Sequence, residues 1–261
     1  MPAKGSRGPW LWPLALTVIG ILLLLNNFLL MGSFNVTRLW PLLLVAAGAA
    51  LLLRGDWLPN NEAKTFGITR GSVESATVEI HAGEIDVQMR ALQQEGRLIA
   101  GQYALGCRPA MRVDDTHATL RMERAATPWL SFADWELGLA RDLPWQVLIS
   151  THLGQVNVDL SNIIIQDATI ATGIGDIRLV CPPEAFGALR LQSALGNIHI
   201  ITPVGYRVQI TATSGRLFRV HADELRYETF EGGIYLAREA DPNAPLVEVS
   251  IRGTFGDAYL T

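Results

Sequence analysis

The chain has 261 residues, of which 49% are hydrophobic and 18% charged, and its formal net charge is −4. Its mean hydropathy of +0.23 is too high for an ordinary soluble protein and too low for a polytopic transporter. Aliphatic residues in every region exclude a wholly disordered chain.

The charge is unevenly distributed along the chain. Residues 1–60 contain four basic side chains and one acidic side chain, which leaves 17 basic and 24 acidic side chains in the rest. A basic, apolar N-terminal part is therefore followed by an acidic body. The acidic body disfavours nucleic acid as a partner, because it would repel phosphate.

Two uncharged stretches, at residues 10–30 and 39–53, predict membrane spans over about 10–30 and 39–57. A helix of roughly 20 apolar residues crosses a hydrocarbon core about 30 Å thick. The second stretch is shorter and needs its flanking residues to reach that length. Tryptophans near the span ends are typical of side chains at the membrane interface, namely Trp10, Trp12, Trp40 and Trp57. We predict that residues 1–60 form a two-pass hairpin in the lipid bilayer of the cell membrane.

The basic residues predict the orientation of this hairpin. Lys4 and Arg7 precede the first span, whereas only Arg38 lies in the turn; Arg54, Lys64 and Arg70 follow the second span. By the positive-inside rule both ends face the cytoplasm, and so does the C-terminal domain. The alternative, a cleaved signal peptide, is disfavoured because a second apolar run follows directly.

The acidic body contains an internal repeat of about 20 residues. Across seven copies, 27 of 28 residues at positions −7, −5, +2 and +4 from a glycine are apolar, and Arg219 is the exception. Alternation at every second residue predicts strands with one buried face. The glycine, with Thr or Ser shortly before it, predicts a turn between two strands. The turn glycines are Gly83, Gly154, Gly175, Gly196, Gly215, Gly232 and Gly256.

A repeat of strand, turn and strand has two structural solutions. Each copy is either a coil of a β-solenoid or a hairpin of an antiparallel sandwich or barrel. The solenoid is favoured because the same four positions would then line one continuous core. We therefore predict an all-β C-terminal domain with a solenoid-like repeat over 147–261.

Residues 61–146 are predicted to form the N-terminal part, or cap, of the β domain, and the pattern is interrupted between Ala91 and Gln146. Strand-like pieces lie at Arg97–Tyr103, Ala118–Glu123 and Trp135–Ala140. The end of a solenoid has to cover its core with atypical structure. The aromatic group in this part is expected to pack inside the cap, the alternative being an exposed patch for a partner: Trp129, Phe132, Trp135 and Trp145.

Two parts of the sequence resemble known bacterial families. Leu24-Leu25-Asn26-Asn27, followed by Leu39-Trp40-Pro41-Leu42-Leu43-Leu44 and an apolar run ending at Arg54, is similar to the two-helix membrane region of LiaI/LiaF-like proteins. The repeat, especially over residues 153–160 and 171–179, resembles the toast-rack β domain that often accompanies this region. The resemblance implies a membrane-anchored, non-enzymatic protein of the cell-envelope stress or antibiotic response, and it carries over no catalytic residue.

Motifs for catalysis, metal binding or cofactor binding are not evident. Cys107 and Cys181 are 74 residues apart, and no Cys or His spacing predicts a zinc site. Two buried free thiols are expected, and no cofactor is predicted. His81 and His152 lie near the same edge of a solenoid, but without a carboxylate partner they are weak candidates for a metal site.

The enzyme alternative is a β-helix enzyme acting on polysaccharides, in which carboxylates stack on one face. Residues directly after the glycines include Glu84, Asp176 and Asp257. Asp is also common in turns, and the copies containing Asp176 and Asp257 are not neighbours in the chain. Carboxylates several strands apart would exceed the spacing needed for glycoside hydrolysis, so the protein is predicted not to be an enzyme.

These observations predict a membrane-anchored regulatory or scaffolding protein that acts through protein contacts. A membrane sensor kinase or another envelope protein is the expected partner, and self-association through the open ends of the solenoid is a further expectation. The alternative from another class is an exported, adhesin-like binding domain, which requires the opposite topology.

Overall fold

The computed structural model describes residues 64–103, 107–124, 134–213 and 215–261. The chain divides into two units, Met1–Leu58 and Pro59–Thr261, and every described residue belongs to the second. The predicted membrane spans and their four tryptophans therefore lie outside the described residues. Within the described ranges, no helix is long and apolar enough to span a membrane.

The described residues form nineteen strands, most of which show the alternation of buried and exposed side chains that the sequence predicts. The strands in the first half of the domain are β1 (Lys64–Thr69), β2 (Ser75–Gly83), β3 (Val87–Ala91), β4 (Arg97–Tyr103), β5 (Ala110–Asp114), β6 (His117–Glu123), β7 (Trp135–Leu139), β8 (Pro144–Leu153) and β9 (Val156–Asp159). Those in the second half are β10 (Ile164–Ile174), β11 (Ile177–Val180), β12 (Glu184–Ala185), β13 (Leu189–Leu195), β14 (Ile198–Ile201), β15 (Arg207–Thr213), β16 (Phe218–Ala222), β17 (Tyr227–Phe230), β18 (Ile234–Ala237) and β19 (Leu246–Leu260).

The strands form two sheets that share the long strand β19. Sheet I, with the longer strands, has the order β5-β6-β2-β8-β10-β13-β19-β15-β18-β17, and β12 also pairs with β10. Sheet II has the order β1-β4-β7-β3-β9-β11-β14-β19-β16. The N-terminal half of β19 lies in sheet I and its C-terminal half in sheet II.

Each repeat, apart from the copy of Gly232, is one coil of a solenoid-like stack. A strand of sheet I runs into a corner that contains the glycine, and a short strand of sheet II follows, as in β8–β9, β10–β11 and β13–β14. Equivalent strands of neighbouring coils are parallel and in register; Ile177, for example, lies between Val156 and Ile198. This parallel stacking confirms the solenoid-like prediction and excludes the antiparallel sandwich for these coils.

The spatial order of the coils differs from their order in the chain at both ends of the stack. Strands β2 and β3 lie between the coil made by β6 and β7 and the coil made by β8 and β9. Strand β19, the last in the chain, lies between β13 and β15 in sheet I and between β14 and β16 in sheet II. Strand β19 and the early strands β2 and β3 are thus held on both sides by other coils, whereas β1 pairs with β4 at the edge of sheet II.

The core lies between the two sheets and is lined by the predicted apolar positions of the copies that form coils, with two shifts in register; in the copy of Gly232, Leu225 is instead 84% exposed. In the copy of Gly83, Val87 rather than Ile85 aligns with Val156, so that corner is two residues longer. In the copy of Gly215, Val220 aligns with Ala258, and the corner is three residues longer. This shift explains the exception in the repeat, because Arg219 faces outward beside Asp257.

Antiparallel strands cover the two ends of the stack. At one end, β5 pairs with β6, and β4 lies between β7 and β1. At the other end, β17 and β18 form an antiparallel hairpin against β15, and the copy that contains Gly232 is the turn of this hairpin rather than a coil. The predicted boundary between residues 146 and 147 falls inside strand β8 of sheet I, which begins at Pro144.

Candidate functional site

The corner between the two sheets, here called the glycine edge, is built on a stack of glycine backbones. A Cβ atom on Gly175 would overlap the carbonyl oxygen of Gly154, one on Gly196 would overlap that of Gly175, and one on Gly256 would overlap that of Gly196. The φ angles of these three residues, between +123° and +146°, also favour glycine. At Gly175, Gly196 and Gly256, a glycine is therefore required both by backbone conformation and by contact with the next coil.

Side chains next to the glycines connect the coils by hydrogen bonds to the backbone. Asp86 Oδ1 accepts from the backbone N–H of Gln155 at 2.6 Å, and Asp176 Oδ1 accepts from that of Asn197 at 2.7 Å. Asn197 Oδ1 in turn accepts from the N–H of Asp257 at 3.0 Å. These polar residues at the corner thus satisfy donors that the turn leaves unpaired.

The structure places the carboxylates of Asp176 and Asp257 closer together than the sequence indicates. Because β19 inserts beside β14, only the coil of Asn197 separates Asp176 from Asp257, about 9.6 Å at two strand spacings. The sequence-based expectation that these carboxylates lie several strands apart was wrong. Asn197 occupies the interval between them, one Asp176 oxygen accepts from its backbone, and Asp257 contacts His221 at 3.1 Å.

A second line of polar contacts lies inside the glycine edge. Thr151 Oγ1 donates to Thr172 Oγ1 at 3.0 Å, and the hydroxyl of Ser193 lies 3.5 Å from the carbonyl oxygen of Gly175. All three residues are buried. The Thr and Ser before the glycines, which the sequence assigns to turns, also connect one coil to the next.

A row of large apolar side chains lies on the outside of the glycine edge. The residue directly before each stacked glycine belongs to this row. Leu217 extends the row, because its carbonyl oxygen accepts a hydrogen bond from the Gly256 N–H, just as the Leu195 carbonyl oxygen accepts one from the Gly175 N–H. Each of these side chains is about half exposed, from 46% to 59%. This apolar ridge consists of Leu153, Ile174, Leu195, Phe255 and Leu217.

The opposite end of the coils, here called the open edge, is formed by the loops that lead from sheet II back to sheet I. Three large apolar side chains are strongly exposed in these loops: Phe186 (70%), Val204 (70%) and Leu225 (84%). Val204 lines a cleft, and Leu225 directly precedes another cleft residue, Arg226. The cleft is lined by Thr202, Pro203, Val204, Tyr206, Arg226, Tyr227, Ala237 and Glu239.

The floor of this cleft is a buried polar cluster. The Tyr227 hydroxyl donates to Thr202 Oγ1 at 2.6 Å, and Arg226 donates to the Thr202 carbonyl at 2.7 Å. Burial raises the pKa of Tyr227 to about 12. Burial likewise raises the pKa of the Cys181 thiol, 3.9 Å from Thr202 Oγ1, to about 12, so this thiol is a poor nucleophile at neutral pH.

Both cysteines are free and buried, as the sequence predicts. Cys107 is 1% exposed and Cys181 is fully buried. A thiol reagent would therefore not report the topology of the native chain, and an introduced surface cysteine is needed for that purpose.

The histidines are dispersed over the surfaces of the sheets. In sheet II, the rings of His199 and His221 stack on the two faces of Tyr259. Their centroids lie 4.9 and 5.3 Å, respectively, from the centroid of the Tyr259 ring. In sheet I, His117 lies within hydrogen-bond distance of the hydroxyls of Ser75 and Thr77. Among the described residues, no group of three or more His, Cys, Asp or Glu could hold a metal ion.

Two members of the predicted aromatic group are core residues. Trp135 is fully buried, and Trp145 is 1% exposed and donates from its indole nitrogen to the carbonyl of Ala140 at 2.8 Å. For these two residues the structure supports packing in the core rather than an exposed patch. Trp129 and Phe132 lie outside the described residues.

Each of the two parts of the chain matches a known protein family. Residues 10–52 match the LiaI-LiaF-like transmembrane region, and residues 59–185 match the N-terminal domain of toast_rack, DUF2154. Together these matches span most of the chain and confirm the resemblance described from the sequence. No curated protein matches the chain.

Two solved structures resemble this chain to different extents. A candidate cell adhesion protein from Clostridium sporogenes ATCC 15579 is 17% identical, covers 76% of this chain and 98% of its own, and has a TM-score of 0.66. A candidate adhesin from Bacteroides fragilis NCTC 9343 is 9% identical, covers 78% of this chain and 99% of its own, and has a TM-score of 0.32. At this identity, the first structure establishes the fold alone.

Proposed function

We propose that this chain, a LiaI-LiaF-like transmembrane region followed by a toast-rack domain, is a non-enzymatic regulator or scaffold of the bacterial cell-envelope stress response. The domain is anchored in the cell membrane by the two predicted spans and faces the cytoplasm. It acts by binding a membrane sensor kinase or another envelope protein.

The observation that carries this proposal is the exposed apolar surface of the open edge. Val204 and Leu225 are 70% and 84% exposed, although burying a side chain of this kind stabilises a protein by about 1.5–3 kcal/mol. Exposed apolar side chains beside a cleft are typical of protein interaction surfaces. The nearby Arg226 and Glu239 add polar groups that could orient a partner.

The contact surface is tested with substitutions in the full chain, expressed in its native host. Val204→Asp together with Leu225→Asp should change the induction of an envelope-stress reporter by a cell-wall antibiotic as strongly as gene deletion does. Gln192→Asp together with Thr211→Asp, on the exposed face of sheet I, is the matched control and should behave like the wild type, with equal amounts of each protein in the membrane.

Two results would contradict the proposal at different points. If gene deletion leaves the reporter unchanged, the role in the stress response is wrong. If deletion has an effect but the Val204 and Leu225 variant behaves like the wild type, the open edge is not the contact surface.

The predicted side of the membrane is tested with Val204→Cys in the full chain. Because Cys107 and Cys181 are buried, a membrane-impermeant maleimide should react almost only with the introduced thiol. Labelling is expected only after the cells are permeabilised. Labelling of intact cells would instead favour the exported, adhesin-like alternative.

A further inference from the structure

We infer that the apolar ridge of the glycine edge rests on the surface of the lipid bilayer, with the domain standing on this edge. The inference rests on the anchoring of the chain in the membrane. It does not depend on which protein binds the domain or on which side of the membrane the domain lies.

The ridge has a shape suited to a planar apolar surface. Its five residues occupy equivalent corners of stacked coils, and four intervals of about 4.8 Å give a straight row about 19 Å long. The backbone of the row is held in place, because Gly154, Gly175 and Gly196 donate to the carbonyls of Ile174, Leu195 and Phe255 at 2.9–3.1 Å. The half-exposed side chains thus project from a rigid support.

The path of the chain places the glycine edge next to the membrane. Strand β1 is antiparallel to β4, which is antiparallel to β7, so β1 begins at the end of sheet II where β7 and β3 begin. That end is the glycine edge, and Lys64 therefore joins the domain there. The second span is predicted to end at residue 57, and the six residues that remain reach at most about 20 Å.

With the second span ending at residue 57, this tether is too short for the opposite orientation. Strand β8 runs from the open edge to the glycine edge over ten residues, about 30 Å at 3.3 Å per residue. If the open edge rested on the bilayer, Lys64 would be held about 30 Å above it, beyond the roughly 20 Å that six residues can span.

Most groups beside the ridge favour an apolar contact rather than an electrostatic one. In four coils, the residue before the ridge residue has no acidic or basic side chain other than imidazole, and in the fifth the exposed Arg216 precedes Leu217; the four are His152, Gly173, Ala194 and Thr254. On the other side, Asp176 accepts from the backbone and Asp257 contacts His221. The two faces of the stack, by contrast, expose charged residues such as Arg178 and Arg190.

The inference is tested with variants of the full chain that each carry one introduced cysteine and are reconstituted in phosphatidylcholine vesicles. Leu195→Cys places an environment-sensitive fluorophore on the ridge, and Val204→Cys places it at the open edge, on a side chain of similar size and greater exposure. The native thiols are buried and should add little background. Replacing the lipids by phosphatidylcholine brominated in the acyl chains reports contact with the hydrocarbon.

We expect brominated lipid to lower the fluorescence of the Leu195 probe by about half, because an apolar face at the interface reaches roughly 5–10 Å into the bilayer. The Val204 probe should be unaffected. Ile174→Cys should repeat the Leu195 result, and thermal unfolding of each labelled protein verifies that it is folded.

Two outcomes would overturn the inference. In one, the two ridge probes are as insensitive to brominated lipid as the Val204 probe. In the other, the ridge probes respond to dilution of the protein in lipid but not to bromine, and the ridge then contacts a second copy of the chain. Neither outcome bears on the stress-response proposal, which is read from a reporter in cells.

Discussion

The two edges of the β stack differ in how they are built, although the same coils form both. At the glycine edge, the four stacked glycines Gly154, Gly175, Gly196 and Gly256 are in contact through their backbones, and equivalent residues of each coil form rows. At the open edge, the connecting loops vary in length and expose different side chains.

The difference between the edges arises from a steric constraint that applies at the glycine edge but not at the open edge. The glycine edge repeats because neighbouring corners leave no space for a side chain, so its outer surface is a regular apolar row. The open edge has no such limit, and its loops can carry a specific cleft such as the one lined by Val204 and Arg226. One edge therefore suits an unspecific planar surface and the other suits a specific partner.

The largest effect is expected from adding a methyl group to the glycine stack. Gly175→Ala should lower the free energy of unfolding by about 3 kcal/mol or more, because the new Cβ overlaps the Gly154 carbonyl and the φ of +143° disfavours alanine. Thermal or denaturant unfolding of the full chain in detergent measures the change.

The control for this substitution lies in the looser corner of the stack. Gly215→Ala meets no atom within 4 Å, and Gly215 is not among the glycines with positive φ. It should change stability by less than about 0.5 kcal/mol. Equal effects of the two substitutions would show that the close approach of the glycines does not limit the coil spacing.

A smaller effect is expected at the open edge in alkaline solution. The pKa values of Tyr227 and Cys181 are raised to about 12 in the folded protein, above their ordinary values of 10.0 and 9.0. The fold thus favours the neutral forms, and their contribution to stability is fully present below about pH 9 and is lost as the pH rises towards 12. Unfolding experiments between pH 8 and 12 should show this decline.

The substitution Tyr227→Phe distinguishes the contribution of the tyrosine to this loss of stability from that of the Cys181 thiol. It removes a buried hydrogen bond to Thr202, which should cost about 1 kcal/mol at neutral pH, and it removes one titrating group above pH 10. The stability of the variant should therefore decrease less steeply with pH than that of the wild type. Tyr259→Phe, on the exposed face of sheet II, should keep the wild-type slope, and the same slope in both variants would refute the assignment.

The smallest effect is expected on the apolar ridge itself. Leu195→Ala should destabilise the protein by less than about 1 kcal/mol, because the side chain is half exposed, whereas Leu191→Ala on the same strand should cost about 2–5 kcal/mol because Leu191 is buried. A comparable loss at both positions in the unfolding experiment would mean that the ridge serves mainly to hold the coils together.

Much of the domain follows from local patterns in the sequence. Alternation around Gly154, Gly175 and Gly196 predicts the strands, the corners and the inward side chains as the structure has them. The strand-like piece predicted at Arg97–Tyr103 coincides with β4. These features are local because a period of two identifies the buried face of a strand without reference to its neighbours.

The order of the coils could not be read from the same patterns. Every coil presents similar apolar positions, so the alternation does not distinguish which strands pair, and β19 could have extended the stack after β16. The structure places β19 between β14 and β16, which brings Asp257 close to Asp176. The longer corners of the Gly83 and Gly215 copies were also missed, because an extra residue in a turn changes register only relative to a neighbouring coil.

The sequence by itself determined the composition of the candidate surfaces but not their location. The apolar residue before each glycine was visible as Leu153, Ile174 and Leu195, yet a residue at that position could have been buried by a longer corner. Its exposure depends on the close contact of the glycine backbones, and the open-edge cleft depends on loops that are distant in the chain. Local alternation decides which way a side chain points, whereas only the packing of one coil on another decides what it meets there.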